Sequence, residues 1–261
     1  PLAKADPVSY RALDPQRIID TIETLSRRIE ERFAGSGLGC VCRELLDVAR
    51  QGKRWAALTA RRSWPWRLAA ALLIAGIVGG TVAVFVSLKA PKDEVRVTDL
   101  IQYLDAGFND LVLIGAAVFF LVTLETRIKR RRALAAIHEL RAMVHVIDMH
   151  QLTKDPERAL QLRRDTPSSP KETMTPFELN RYLDYCTEML SLAGKIAAVY
   201  VQDFDDGVAL ASANEVEALA TGLSRKIWQK IMVLHGLQEQ QAQAAEGAAR
   251  VDPGNPIQPE K

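Results

Sequence analysis

Apolar and polar positions along this chain alternate with helical rather than strand spacing, and in two places the polar positions disappear. Near the start, Ile18, Ile22, Leu25, Ile29 and Phe33 recur every three or four residues. That places them on one stripe of a helix opened by Asp14-Pro15, a capping side chain followed by proline in the first turn. Gly35-Ser36-Gly37 ends the run, and a second helix from about Leu38 gathers Val41, Cys42, Leu45, Leu46, Val48 and Ala49 on one face. Both helices fall in a segment 14–63, behind a polar tail 1–13.

The first polar gap runs from Leu68 to Leu88, without an ionisable residue between Arg67 and Lys89. About twenty helical residues cross roughly 30 Å of hydrocarbon, so 64–89 reads as a membrane helix. The second apolar run, Leu111 to Leu124, is shorter; extending its helix over 106–126 puts Asn109, Asp110 and Glu125 at the two interfaces. The fold class expected from this pattern is an all-α membrane protein, a two-helix transmembrane hairpin carrying a cytoplasmic helical bundle. The intervening residues 90–105 form a short external segment, in which Val97 to Leu104 has the pattern of a brief amphipathic helix.

Basic residues set the expected orientation, because they collect on the cytoplasmic side of membrane spans. Arg61, Arg62 and Arg67 precede the first span and Arg127, Lys129, Arg130, Arg131 and Arg132 follow the second, with Trp64 and Trp66 suited to the headgroup level. Both termini are therefore expected in the cytoplasm, in a multi-pass protein of a cytoplasmic-type membrane, the inner membrane if the source is bacterial. The lipid bilayer and its anionic headgroups become expected partners. Within the first span Ala71, Ala75, Gly79 and Ala83 recur every fourth residue, a spacing of small side chains that lets helices approach closely, in the hairpin or between copies.

Beyond the second span, no glycine or proline interrupts the chain from Ala116 to Lys154, which predicts a helical extension over 127–152. Pro156, Pro167 and Pro170 with Ser168-Ser169 mark 153–175 as a linker with a short helix near Pro156. Thr175-Pro176-Phe177-Glu178 has the form of a capping box and opens a helical pair over 176–240. Its first helix presents Leu179, Leu183, Cys186, Leu190, Ala193, Ala197 and Tyr200, widened by Tyr182, Met189 and Ile196, a face broad enough to pack against more than one neighbour. Its second presents Val216, Leu219, Leu223, Ile227, Ile231 and Leu234. The Ala-, Gly- and Pro-containing tail 241–261 reads as disordered.

Composition narrows the function classes. The 261 residues are 48% hydrophobic with a formal net charge of +2, which argues against nucleic acid as a partner. Cys40, Cys42 and Cys186 suit a reducing compartment and no disulfide framework. The densest chemistry lies at His138, His145 and Asp148, with Arg141 between them. Seven residues bring both imidazoles to one face, but a hydrolytic metal pair is spaced by four, and position 142 is alanine, so these three are weak metal candidates. Asp203, Asp205 and Asp206 resemble the start of a calcium loop until the position for a bidentate carboxylate, which is Asn214; they are better placed as helix caps. No phosphate loop or nucleophile elbow is present, and neither catalytic residues nor a cofactor are expected. The expected function is a membrane anchor, scaffold or assembly protein acting through its helical bundle on itself or on another membrane or cytoplasmic protein. The alternatives are a homo-oligomeric channel or transporter accessory subunit and a membrane-tethered metal-dependent hydrolase.

Overall fold

A computed structural model describes residues 12–60, 97–160, 162, 166–169 and 174–251, together with scattered positions between 68 and 82. Its helices are α1 (Pro15–Arg32), α2 (Gly37–Ala60), α3 (Val97–Leu152), α4 (Pro156–Ala159), α5 (Pro176–Gln202) and α6 (Gly207–Val251). Among the described residues there is no strand. The chain divides into two compact units, one formed by Pro1–Ala56 with Ala136–Lys261 and the other by Ala57–Ala135.

In the first unit, local chemistry starts and stops the helices. The Asp14 carboxylate accepts the Gln16 amide at 2.8 Å and Pro15 occupies the first turn of α1. The helix ends where the Phe33 amide donates to the Ile29 carbonyl, and Gly35, at φ 67°, turns the chain. That backbone conformation suits glycine because a Cβ would crowd the following carbonyl. One stripe of α1, Ile18, Ile19, Ile22, Leu25 and Ile29, is buried. Removing such side chains from water contributes about 1.5–3 kcal/mol each before the ordering entropy is counted.

The central element is α5. Leu179, Tyr182, Leu183, Tyr185, Cys186, Met189, Leu190 and Leu192 are buried along its first two-thirds, and Ile196, Val199 and Tyr200 along its last turns, so apolar side chains cover most of its circumference. Both α1 and α6 pack on it. Trp55 on α2 joins this core, donating its indole N–H to the Tyr200 carbonyl at 3.1 Å. On α6, Ala209, Ala213, Val216, Ala220, Leu223, Ile227, Ile231 and Leu234 form one buried line, opened by Asp206, which accepts the amides of Val208 and Ala209. Where the sequence suggested a disordered tail from 241, the helix continues to Val251 through a Gln- and Ala-rich stretch whose described side chains from 241 to 247 are all exposed, because Gln and Ala are good helix formers without a core to pack against.

The second unit corrects the expected architecture. Among the described residues no helix is long and apolar enough to cross a membrane. The first expected span, 64–89, lies for the most part outside the described residues, including Arg61, Arg62, Trp64, Trp66, Arg67 and Ala83. The second, 106–126, is part of α3, with Arg127, Lys129, Arg130, Arg131 and Arg132 continuing the same helix. Its apolar run from Leu111 to Leu124 extends only roughly 21 Å at about 1.5 Å per residue, well short of roughly 30 Å of hydrocarbon. The membrane hairpin, the multi-pass localisation and the orientation derived from flanking basic residues are therefore withdrawn. What remains of the predicted class is its all-helical character. Within this unit Leu111, Val112 and Leu113 are 66%, 51% and 60% exposed, so three consecutive helical positions face outward instead of entering a core. Ala71, Ala75 and Gly79 are exposed as well, and a Cβ at Gly79 would meet no atom within 4 Å among the described residues.

Candidate functional site

The His-rich segment predicted as the densest chemistry lies on the last turns of α3, within the first unit, and its members separate there. His138 and His145 are exposed on the helix surface. Asp148, half-buried, accepts a hydrogen bond from Gln151 Nε2 at 2.6 Å rather than orienting an imidazole. Arg141 pairs with Glu215 on α6 at 3.1 Å. Among the described residues no group of three or more His, Cys, Asp or Glu side chains is arranged to hold a metal ion.

The inward-facing chemistry belongs to residues further along. His150 Nδ1 lies 3.4 Å from the Tyr182 hydroxyl, and its ring closes over Gly37, where an added Cβ would stand 2.6 Å from Cε1. Lys230 reaches from α6 to donate to the carbonyls of Gln151 and Lys154 at 2.9 and 3.2 Å. Gln151 lies in the last turn of α3, where its carbonyl also accepts the Lys154 amide at 3.1 Å, and a cation is favoured at such a helix C-terminus. Desolvation nonetheless lowers the Lys230 pKa, against the raising effect of Asp155 and Asp148. Cys186 sits in the same region, and burial pushes its thiol up to about 12 despite the charges of Lys154 and Lys230. A thiol in that state is a poor nucleophile at neutral pH, because the thiolate is the reactive form. This knot clamps α3, α5 and α6 together.

A groove of about 960 Å³ has α5 as its floor, the start of α1 as one wall and α6 as the other. It arises because α1 and α6 pack on the same helix from different sides. Leu13, Ile18, Leu190 and Ala220 supply apolar lining, while Arg17, Lys195, Asp14, Glu188 and Glu217 supply charged lining, with Arg17 paired to Asp14 at 3.7 Å. The floor is kept low by small residues: Gly194 is buried, and a Cβ there would already touch Glu217 Cγ at 3.5 Å. Ser191 is exposed and its hydroxyl holds Lys195 Nζ at 2.7 Å. The Leu13 amide donates to Gln202 Oε1 at 2.7 Å, tying the start of α1 to the end of α5.

The one-dimensional pattern marked Asp14 as a helix cap and Ile18 and Leu190 as core positions, but none of the groove residues as part of a site. The available signal was the interruption of the broad α5 face by Ser191, Gly194 and Lys195, which leaves a polar and small-residue strip between two apolar ones. Compared with known proteins, the chain matches no family model, and neither a curated protein nor a solved structure matches it.

Proposed function

We propose that the first unit is a non-enzymatic helical scaffold that binds another protein by receiving an amphipathic helical segment in the α1/α5/α6 groove. The groove itself carries this reading: its floor is helical, small and partly apolar, and its rim bears both signs of charge. Helix-in-groove recognition uses such a surface, with apolar anchors every three or four residues entering the trough and charged neighbours meeting the rim. The volume stands at the upper end for small-molecule sites, and the trough is open rather than enclosed. Asp148 is engaged with Gln151 and both candidate imidazoles are exposed, an arrangement that adds nothing in favour of the hydrolase alternative.

A photo-crosslinking side chain at Thr221, on the α6 wall, tests the reading. The expected result is capture of a partner through one continuous segment whose crosslinked positions are three or four residues apart, lost when Ser191→Trp fills the floor. Crosslinks that persist in Ser191→Trp with the chain still folded would remove the groove as the binding surface.

A further inference from the structure

Where α1 ends beside the start of α5, Arg28, Arg32 and Arg181 gather around the rings of Phe177 and Tyr185, with Glu31 at the edge, enclosing about 620 Å³ of open space. Arg28 stands 5.2 Å over Tyr185, and Arg32 and Arg181 stand 5.2 and 5.9 Å from the Phe177 centroid. Held against aromatic rings, guanidinium groups lose little further freedom on binding, and their N–H forks remain suited to paired oxygens. Phe177 is 60% exposed, an unusual place for a ring whose only task is packing.

The charges of the three arginines are unevenly satisfied. Arg28 pairs with Glu188 at 3.0 Å and Arg181 with Asp184 at 3.4 Å, both in partly exposed positions. Such pairs contribute little, about 0–1 kcal/mol, and rearrange readily for a stronger acceptor. Arg32 makes no hydrogen bond or ion pair among the described residues. Glu178 feels its charge, but the Glu178 carboxylate accepts the amide and hydroxyl of Thr175, each at 2.9 Å. One guanidinium without a carboxylate, flanked by two in weak pairs, matches a doubly charged anion with several terminal oxygens better than a single carboxylate.

We infer that this cluster binds a phosphorylated side chain on the protein segment that occupies the groove. The inference rests on the proposed function, and one contact links the two surfaces: Glu188, the partner of Arg28, also lines the groove. Recognition of phosphorylated or acidic motifs by arginine clusters on a helical surface is an established mode.

Fluorescence anisotropy with the full chain tests it, using a labelled ten-residue Gly/Ala peptide bearing one phosphoserine, its unphosphorylated form and a ten-nucleotide oligothymidylate. The phosphopeptide should bind about tenfold more tightly than the unphosphorylated peptide, one charge-assisted contact's worth. Arg32→Ala should erase that preference and Arg32→Lys should restore only part of it, because an ammonium cannot pair two oxygens as a fork does. Thermal melting of both variants separates misfolding from lost binding. Equal binding of the two peptides, an unchanged preference in Arg32→Ala, or equal or tighter binding of the oligonucleotide overturns the proposal. Crosslinking lost in Ser191→Trp without a phosphate preference overturns the anion site alone. A phosphate preference with crosslinking that survives Ser191→Trp overturns the groove reading, and with it the assignment to a groove-bound segment.

Discussion

At the scale of single residues, the core declares itself through groups that resist ionisation. Burial pushes the Cys42 thiol up to about 11 and the Cys186 thiol and Tyr200 phenol up to about 12, with the Glu139 charge adding to the effect at Tyr200. For each, the native state holds a proton that the unfolded chain releases near 9.0 for the thiols and 10.0 for the phenol. Their contribution to stability is therefore intact below about pH 9 and falls as pH rises toward 11 and 12. Lys230 opposes this, since its lowered pKa means stability gained as pH climbs toward its ordinary 10.5, but it is one group against three. Urea unfolding should show lower stability at pH 10.5 than at pH 8, with a flatter decline in Cys42→Ala/Cys186→Ala; an unchanged slope would show that neither thiol is desolvated. A second residue-scale prediction concerns Gly37, where a methyl group would strike His150 Cε1. Gly37→Ala should cost about 1–3 kcal/mol, as overpacking does, and close to nothing in a His150→Ala background. Additive costs in that double-mutant cycle would mean the two do not touch.

At the scale of elements, each of three helices begins with an oxygen-bearing cap and a proline: Asp14-Pro15, Asp155-Pro156 and Thr175-Pro176. These starts were legible because a cap acts on amides two or three residues away, and proline is suited to a first turn whose amides have no partner in the helix. At α5 the box closes in both directions, Thr175 Oγ1 accepting the Glu178 amide at 3.2 Å and the Glu178 carboxylate accepting the Thr175 amide. The Thr175 bonds lower the Glu178 pKa below its ordinary 4.5, so this contribution is present above that value and fades as the carboxylate is protonated below it. Thr175→Ala should cost about 1 kcal/mol in chemical denaturation at neutral pH, and less at pH 3. An equal loss at both values would assign the effect to Thr175 packing instead of the reciprocal cap. The end of α3 was also legible, from the absence of glycine and proline between Ala116 and Lys154, whereas its start at Val97 was not, since 90–105 and 106–126 read as separate segments.

At the scale of the molecule, the first unit is organised around α5, whose buried residues from Leu179 to Tyr200 meet α1 and α6 and receive Trp55 from α2. Opening any of those contacts exposes α5, so its amides between Tyr182 and Tyr200 should be the slowest to exchange with deuterium, and those of α6 beyond Leu234 among the fastest. Uniform protection along α6 would contradict a core that ends at Leu234. The sequence by itself determined the starts of α1 and α5, their caps, the connector after α3 and the apolar stripes of α1, α5 and α6, because periodicity and capping involve residues within about four positions of one another, but not the start of α3 or the end of α6. It did not determine what the stripes and apolar runs meet. The hydrophobic content of Leu111 to Leu124 suggested a membrane crossing, whereas the helix that contains it is too short in apolar length. His138, His145 and Asp148 shared a helix face on paper, yet in α3 the acid accepts from Gln151 one turn further on and the imidazoles are exposed. The groove joins Arg17 to Lys195 and Glu217, and the arginine cluster joins Arg32 to Arg181. Residues so distant in the chain become neighbours only through the way α1 and α6 dock on α5, a choice made by summed burial across the whole core and written in no local pattern.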